Sequence, residues 1–124
     1  MLVDTDILID FLRGKEIAAR FIERFVDDIF ISSITVAELF QGVIDGEERS
    51  ILEGLIFTFT VLPITESIAI EGGLLRRQYK KSHGSGLADC LIAATALSHG
   101  LTLYTLNLKH YHMLSDIVNP YEKQ

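Results

Sequence analysis

Residues 1–10 read MLVDTDILID and combine an apolar start with closely spaced acidic side chains. Residues 1–3 form the kind of apolar run that is typical of a short buried strand. Asp4 and Asp6 follow this run directly. Either side chain could cap a helix, because an Asp side chain accepts a free backbone N–H at a helix start. The pair could equally begin a metal site, and this segment alone leaves both interpretations open.

The length and composition predict a single domain over residues 1–124. The chain has 48% hydrophobic residues and a mean hydropathy of +0.30, which is enough to build its own core. The formal charge of −6 argues against binding nucleic acid through a general positive field, because such binding works by neutralising phosphates. A local basic patch remains compatible with this charge.

The single cysteine and the N-terminal region bear on the compartment. Cys90 is alone, so it cannot form an internal disulfide, which fits a reducing cytoplasm, and we expect it to be a small buried side chain. No secretory signal is predicted, because acidic residues interrupt the apolar start. Residues 90–108 lack Asp, Glu, Lys and Arg, but His99-Gly100 divides them into a predicted helix and strand. We therefore expect a cytoplasmic protein without a membrane span.

Strand-like and helical segments alternate along the chain. Apolar runs predict strands at residues 1–4, 29–32, 60–64, 101–105 and 116–119. Helical patterns lie at residues 15–26, 34–44, 47–58, 66–81 and 87–98. This alternation predicts an α/β fold, with a parallel sheet covered by helices on both faces.

Four polar side chains fall near the predicted carboxyl ends of strands or the starts of the following helices, where open parallel sheets bind their ligands. They are Asp4, Glu38, Asp89 and Asn107. Each also has a structural interpretation. Asp4 and Asn107 could be N-caps, and Asp89 could favour the positive end of its helix. Thr35-Val-Ala-Glu38 matches a capping box, in which the Glu side chain accepts the N-cap N–H.

The isolation of Glu38 and Asp89 favours a shared cation. Glu38 is the only charged residue between positions 29 and 44, and Asp89 is the only one between positions 82 and 108. Burying an unpaired charge costs several kcal/mol. Carboxylate oxygens suit Mg²⁺ or Mn²⁺. Zinc fits poorly, because the histidines lack zinc-ligand spacing and are expected at the surface: His83, His99, His110 and His112.

A carboxylate-held Mg²⁺ suits phosphodiester hydrolysis, because the ion neutralises phosphate oxygens and activates a bound water. The basic run RRQYKK, residues 76–81, could guide a polyanion toward such a site. The same run could simply be the solvated face of a helix.

Four stretches together resemble the successive motifs of PIN domains, and most of all those of VapC-type ribonuclease toxins. They are LVDTDILIDFL, ISSITVAELFQG, LADCLIAATAL and TLYTLNLKHYHML, and they cover nearly the whole chain in order. The resemblance implies a three-layer α/β/α sandwich around a short parallel sheet. It also implies a Mg²⁺- or Mn²⁺-dependent endoribonuclease that forms a homodimer and binds a cognate VapB-type antitoxin.

The same resemblance assigns roles residue by residue. The metal-binding acidic positions of the family fall on Asp4, Glu38 and Asp89, and its fourth catalytic position falls on Asn107. A neutral amide at that fourth position leaves three carboxylates, which favours one firmly held metal ion over two. Supporting polar positions of the site fall on Asp6, Ser33 and Thr105. The hydroxyl groups of Ser33 and Thr105 could also be turn hydroxyls.

Two other functions stay open from the sequence. LVDTDIL also resembles the nucleophile motif of haloacid dehalogenase-type phosphatases, with Asp4 attacking and Asp6 as acid and base. The later Lys and acidic motif of that family have no convincing counterpart. Alternatively, the chain is a degenerate PIN domain that binds RNA or a partner without cleavage, an interpretation that Asn107 supports.

The predicted helices at residues 15–26 and 34–58 carry more apolar side chains than one sheet face in a domain of this size is expected to cover. These side chains are Phe21, Phe25, Phe40, Val43, Leu55, Phe57 and Phe59. An apolar patch that remained exposed would mark a binding surface. The resemblance implies that the antitoxin's C-terminal segment lies in such a groove and sends a basic side chain toward the carboxylates. We therefore expect a homodimer that leaves this groove exposed and is closed by the remaining apolar contacts.

Overall fold

A computed structural model describes residues 1–79 and 85–122 of the chain. Its centre is a parallel sheet of five short strands in the order β3-β2-β1-β4-β5. The strands are β1 (Leu2–Val3), β2 (Phe30–Ser32), β3 (Thr60–Leu62), β4 (Leu103–Tyr104) and β5 (Ile117–Val118). The predicted parallel sheet is confirmed, and β1 occupies its middle position. The residues that follow β1 therefore lie between those that follow β2 and those that follow β4.

Six α-helices and two short 3₁₀ helices connect the strands in the described residues. The α-helices are α1 (Thr5–Leu12), α2 (Glu16–Phe25), α3 (Ser33–Phe40), α4 (Glu47–Thr58), α5 (Glu66–Tyr79) and α6 (Leu87–His99). The 3₁₀ helices span Val26–Asp28 and Leu108–His110. Helix α6 ends at Gly100, which adopts the left-handed conformation (φ 62°) that favours glycine.

Some element boundaries differ from the predicted ones. Helix α1 was not predicted as a separate element, although Ile7 and Leu8 bury its inner face. The helix predicted over residues 34–44 begins at Ser33 and ends at Phe40. Strand β3 ends before Pro63, which has no N–H to donate to a sheet. The last two residues of the helix predicted over 66–81 lie outside the described residues.

The core has two parts, one on each face of the sheet. Leu2 packs with the cluster beneath α5 and α6, which includes Cys90 and Leu103. Its neighbour Val3 packs with the cluster beneath α1 and α2, which includes Ile31. Successive side chains of a strand point to opposite faces. The fold is therefore a three-layer α/β/α sandwich, as expected, and Cys90 is buried as predicted.

Helices α5 and α6 approach each other closely at Gly72. A Cβ atom at residue 72 would lie 2.6 Å from Leu91 Cδ2 and 3.2 Å from Leu91 Cα. A side chain at residue 72 would have to displace Leu91, so glycine suits this close approach. The contact fixes the first turns of α6, and with them Asp89, over the sheet. In the described residues, no helix has both the length and the apolar character of a membrane span.

Candidate functional site

Asp4 is the centre of a hydrogen-bond network at the carboxyl end of β1. Its side chain is 5% exposed. Asp4 Oδ1 accepts from the Thr5 N–H at 2.8 Å, and Asp4 is the N-cap of α1. Asp4 Oδ2 accepts from the Thr105 hydroxyl at 2.7 Å and from the Tyr111 hydroxyl at 3.0 Å. Asp4 therefore begins a helix and also brings the end of β4 and the following segment to one carboxylate.

Asp89 joins this network through Tyr111. The Tyr111 hydroxyl oxygen lies 3.3 Å from Asp89 Oδ1 as well as 3.0 Å from Asp4 Oδ2. Asp89 Oδ2 accepts from the Gly86 N–H at 3.3 Å, so Asp89 also stabilises the start of α6, the positive helix end that it was expected to favour. Asp4 and Asp89 are thus linked by one buried hydroxyl group.

Glu38 reaches the network through Thr5. The Thr5 hydroxyl lies 2.7 Å from Glu38 Oε1 and 3.0 Å from Thr35 Oγ1. The capping-box interpretation of Glu38 is wrong, because α3 begins earlier: its N-cap is Ser32, whose hydroxyl accepts from the Ile34 N–H. Glu38 therefore lies one turn further along α3, on the side that faces α1.

Asp6, Asn107 and Thr105 form a second group of contacts beside the first. Asp6 Oδ2 accepts from Asn107 Nδ2 at 2.9 Å and from the Leu106 N–H at 2.9 Å, and it lies 3.4 Å from Thr105 Oγ1, whose proton is donated to Asp4. Thr105 Oγ1 accepts from the Asn107 N–H at 3.1 Å. Asn107 makes no side-chain cap for the 3₁₀ helix that follows it. Its amide instead fixes Asp6, and Asp6 in turn holds the segment after β4.

The electrostatics of the site are those of crowded, buried acids. Burial, followed by the negative charge of Asp6, raises the pKa of Asp4 to about 7 despite the hydrogen bonds that it accepts. Burial and the charges of Asp4 and Asp89 raise the pKa of the Tyr111 phenol above its ordinary value, so Tyr111 stays a protonated donor. A cation near Asp4 would relieve this excess of negative charge.

The structure also shows where Ser33, the histidines and the basic run predicted from the sequence lie. Ser33 Oγ accepts from the Ile64 N–H at 3.0 Å and so ties the loop after β3 to the start of α3. His110 is half-buried, and its Nδ1 lies 3.6 Å from Asp89 Oδ2, whereas His99 and His112 are exposed as expected. In the basic run, residues 76–79 close α5; the remaining two basic residues and His83 lie outside the described residues.

The donor set fits a hard divalent cation in kind, because Asp4, Glu38 and Asp89 offer only oxygen atoms. In their present positions these carboxylates contact hydroxyl groups: Asp4 and Asp89 meet at Tyr111, and Glu38 meets Thr5. Across residues 1–79 and 85–122, no three His, Cys, Asp or Glu side chains already stand close enough to enclose a metal ion. The described arrangement is thus a linked set of potential ligands rather than a closed metal cage.

Sequence reasoning missed Tyr111 and Thr5, which connect the predicted ligands. Tyr111 stands between His110 and His112, in a segment without a helical or strand pattern that would mark it as buried. Its only signal was the hydroxyl, because a buried Tyr needs a hydrogen-bond partner. Thr5 stood between two acidic residues, so its position at the strand end could have drawn attention to it.

Comparison with known proteins identifies the family. The sequence model described as "PIN domain" matches residues 1–113. The chain belongs to the PIN domain family. The site of this PIN domain lies within the matched residues, because its most C-terminal member is Tyr111. Membership favours the PIN interpretation of Asp4 and Asp6 over the phosphatase one.

Named relatives span nearly the full length of this PIN domain. It is 40% identical over 124 residues to "Ribonuclease VapC10" of Mycobacterium tuberculosis, covering 98% of this chain and 92% of that protein. A solved "Toxin-antitoxin complex from Klebsiella pneumoniae" is similar with a TM-score of 0.84 and 34% identity, covering 98% of each chain. A DNA-bound VapBC from Salmonella typhimurium is similar with a TM-score of 0.78 and 29% identity, covering 94% of this chain and 92% of that one.

Proposed function

We propose that this PIN domain is the ribonuclease toxin of a VapBC-type toxin–antitoxin pair and cleaves RNA with the help of Mg²⁺ or Mn²⁺. Asp4, Glu38 and Asp89 are its metal ligands. The observation that carries the proposal is the link between Asp4 and Asp89 through one buried hydroxyl, with Glu38 joined to Asp4 through Thr5. The naming of the relatives as VapC ribonucleases supports the substrate class.

The electrostatics of Asp4 support a cation in this role. Burial and a neighbouring acid raise its pKa to about 7, so the carboxylate lacks compensating positive charge. When bound, Mg²⁺ or Mn²⁺ would neutralise phosphate oxygens and supply an activated water. Thr105 and Tyr111 orient Asp4, and Thr5 orients Glu38. Asn107 acts indirectly, because its amide holds Asp6 in place.

RNA cleavage by the purified chain tests the activity. Cleavage should require Mn²⁺ or Mg²⁺, stop with EDTA, and fall at least about 100-fold in Glu38→Gln and Asp89→Asn, because several kcal/mol of charge stabilisation disappear. Asp45→Asn is the matched control, since Asp45 is exposed and pairs with Arg49 on the protein surface. Undiminished cleavage by both site variants would point to a contaminating nuclease. Tight RNA binding without cleavage would instead favour the degenerate PIN domain.

The antitoxin is proposed to bind a groove between α1, α3 and α4. The groove has a volume of about 770 Å³, and Glu38 reaches into it. Its lining is apolar in part and otherwise mainly acidic: Ile9, Leu12, Arg13, Glu38, Leu39, Gly42, Val43, Glu47, Glu48, Ile51 and Leu52. Most of the aromatic side chains expected to form an apolar patch are instead buried or half-buried, whereas Phe57 on α4 is 92% exposed.

The occupant that fits this groove is a segment with apolar anchors and a basic side chain. Ile51 is 55% exposed and offers an apolar contact, while Glu38, Glu47 and Glu48 give the groove negative charge. Complementary charge favours association with a basic partner. Because Glu38 is shared between groove and site, a bound segment would bring its basic side chain to the proposed ligands and inhibit cleavage. The relation to solved toxin–antitoxin complexes supports this partner.

A homodimer is proposed to close over α5 and α6. Ile70, Leu74 and Leu97 are 57%, 44% and 51% exposed on these two helices. Ile70 and Leu97 also border a hollow of about 540 Å³ between the helices. An exposed apolar surface of this kind is typical of an interface. It lies on the opposite face of the sheet from the groove, so one copy can hold both partners.

Two matched substitutions separate the two interfaces. Ile51→Asp should weaken binding of the antitoxin encoded beside the gene and leave the dimer intact, because it places a charge only in the groove. Ile70→Asp should leave antitoxin binding unchanged but convert the dimer to monomers, because it places a charge only on the α5–α6 face. Sedimentation velocity with and without the antitoxin measures both antitoxin binding and the oligomeric state. Antitoxin binding at full strength by Ile51→Asp, or a wild-type monomer, would contradict the corresponding assignment.

A further inference from the structure

Tyr111 has a position that packing alone does not explain. Its side chain is fully buried within the cluster beneath α5 and α6. A phenylalanine would fill the same apolar space, and burying an unpaired hydroxyl would cost roughly 1–3 kcal/mol. The hydroxyl is nevertheless paired, with Asp4 Oδ2 at 3.0 Å and Asp89 Oδ1 at 3.3 Å. Its two partners are therefore the reason for a tyrosine at this position.

In the described part of the chain, no other group is hydrogen-bonded to both Asp4 and Asp89. Asp4 lies 107 residues before Tyr111, and Asp89 lies 22 residues before it. Each carboxylate also has contacts of its own: the Thr105 hydroxyl and the Thr5 N–H donate to Asp4, whereas the Gly86 N–H donates to Asp89 and His110 Nδ1 lies 3.6 Å from it. Without the phenol oxygen, each carboxylate would keep these contacts, but the two would lose their common one.

We infer that Tyr111 is a positioning residue, whose hydroxyl holds Asp4 and Asp89 toward each other so that a divalent cation finds two ligands already oriented. The inference rests on the proposed metal-binding role of these two carboxylates. Groups that hydrogen-bond metal ligands fix ligand orientation, and their loss costs about 10-fold to 100-fold in metal affinity. The fixed spacing also limits the entropy that the two side chains lose when an ion binds.

Calorimetric titration with Mn²⁺ tests the inference on the full chain. Tyr111→Phe should bind Mn²⁺ about 10-fold more weakly than the wild type. Tyr104→Phe is the matched control, because Tyr104 packs in the cluster on the other sheet face, against Phe21. It should bind as the wild type does. Asp89→Asn should lose most of the binding, which tests the metal site itself.

The outcomes separate the two proposals. If Asp89→Asn loses binding while Tyr111→Phe binds Mn²⁺ as tightly as the wild type or more tightly, the positioning role is overturned and the proposed metal site stands. If Asp89→Asn binds normally, the proposed metal site fails and the role of Tyr111 fails with it. A loss confined to Asp89→Asn and Tyr111→Phe supports both.

Terbium luminescence tests whether a bound ion lies beside Tyr111, as the positioning role requires. The chain has no tryptophan and four tyrosines, so light absorbed at tyrosine reaches a bound Tb³⁺ ion only from a nearby phenol. At saturating Tb³⁺ we expect strong sensitised emission from the wild type and Tyr104→Phe, and loss of most of it in Tyr111→Phe. If Tyr111→Phe fails to fold by circular dichroism, the wild type alone decides: competition by Mn²⁺ should abolish its emission, and absent emission at saturation overturns the inference.

Discussion

Two buried aspartates of this protein each accept a hydrogen bond from a tyrosine hydroxyl, but their surroundings differ. Asp4 meets Tyr111, and Asp10, which is fully buried, meets the Tyr121 hydroxyl at 3.1 Å. Around Asp4 the chain gathers further acids. Around Asp10 it places the aromatic ring of Tyr121, which also contacts Phe21 at 6.5 Å between ring centroids.

The difference separates the proposed binding site from an anchor. At Asp4 the tyrosine bridges to a second carboxylate, and burial raises the pKa of Asp4 to about 7. At Asp10 the tyrosine belongs to the C-terminal segment, and the bond fastens that segment onto α1. In this protein, burial of a carboxylate alone does not suggest a metal ligand. The suggestion comes from a hydrogen-bond donor that the carboxylate shares with a second carboxylate, as Asp4 shares Tyr111 with Asp89.

The largest expected contrast is in RNA cleavage. Asp4→Asn should reduce metal-dependent cleavage at least about 100-fold, because the amide cannot supply the negative charge that a cation needs. Asp10→Asn should cleave at the wild-type rate, because Asp10 only anchors the C-terminal segment. Both are measured as initial rates on one RNA at saturating Mn²⁺. Equal losses in the two variants would remove the distinction between the two regions.

A second contrast is in the dependence of stability on pH without metal. Because its pKa is raised to about 7, Asp4 holds its proton more tightly in the folded than in the unfolded state. Its contribution is therefore fully present below pH 4 and is lost as the pH rises through 7, by up to about 4 kcal/mol. Urea unfolding in EDTA at pH 5 and pH 8 should show about 3 kcal/mol of this fall in the wild type, because the loss has already begun at pH 5.

The matched variants for this measurement are Asp4→Asn and Tyr121→Phe. The fall should become markedly smaller in Asp4→Asn, which removes the titrating group. It should persist in Tyr121→Phe, which changes no carboxylate. An unchanged fall in Asp4→Asn would show that another group is responsible.

The smallest contrast concerns the anchor. Tyr121→Phe should lower the free energy of unfolding by about 2 kcal/mol, because a hydrogen bond to a buried carboxylate is lost. Mn²⁺ affinity should stay the same, since Tyr121 contacts Asp10 and Phe21 rather than the proposed ligands. Urea unfolding and calorimetric titration measure the two quantities. Weaker Mn²⁺ binding in this variant would mean that the two regions are coupled.

The sequence predicts the sheet and most helices well because their signals are local. Apolar runs and helical spacing lie within a few consecutive residues. Helix α1 was missed because its residues follow β1 without a break, with Asp4 as both strand end and N-cap. The early end of α3 at Phe40 depends on the turn that begins at Gln41, which an apolar pattern running to Ile44 obscures.

The residues of the candidate site also differ in whether a local sequence pattern reveals them. Asp4, Glu38 and Asp89 could be predicted because isolated charges in apolar stretches are visible in the sequence. Tyr111 could not be predicted, because its hydroxyl contacts Asp4, which lies 107 residues away, and a short sequence pattern contains no information about so distant a contact. Contacts of this kind are set by the order of strands in the sheet.

The central place of β1 also has a consequence during synthesis on the ribosome. Strand β1 needs β4 beside it, and Asp4 needs Thr105 and Tyr111, which are translated 101 and 107 residues after it. Contacts across so long a stretch of chain form late in folding. A nascent chain therefore cannot assemble this site until the segment with Thr105 and Tyr111 has emerged, so a ribosome making this chain is not exposed to the assembled site before that point.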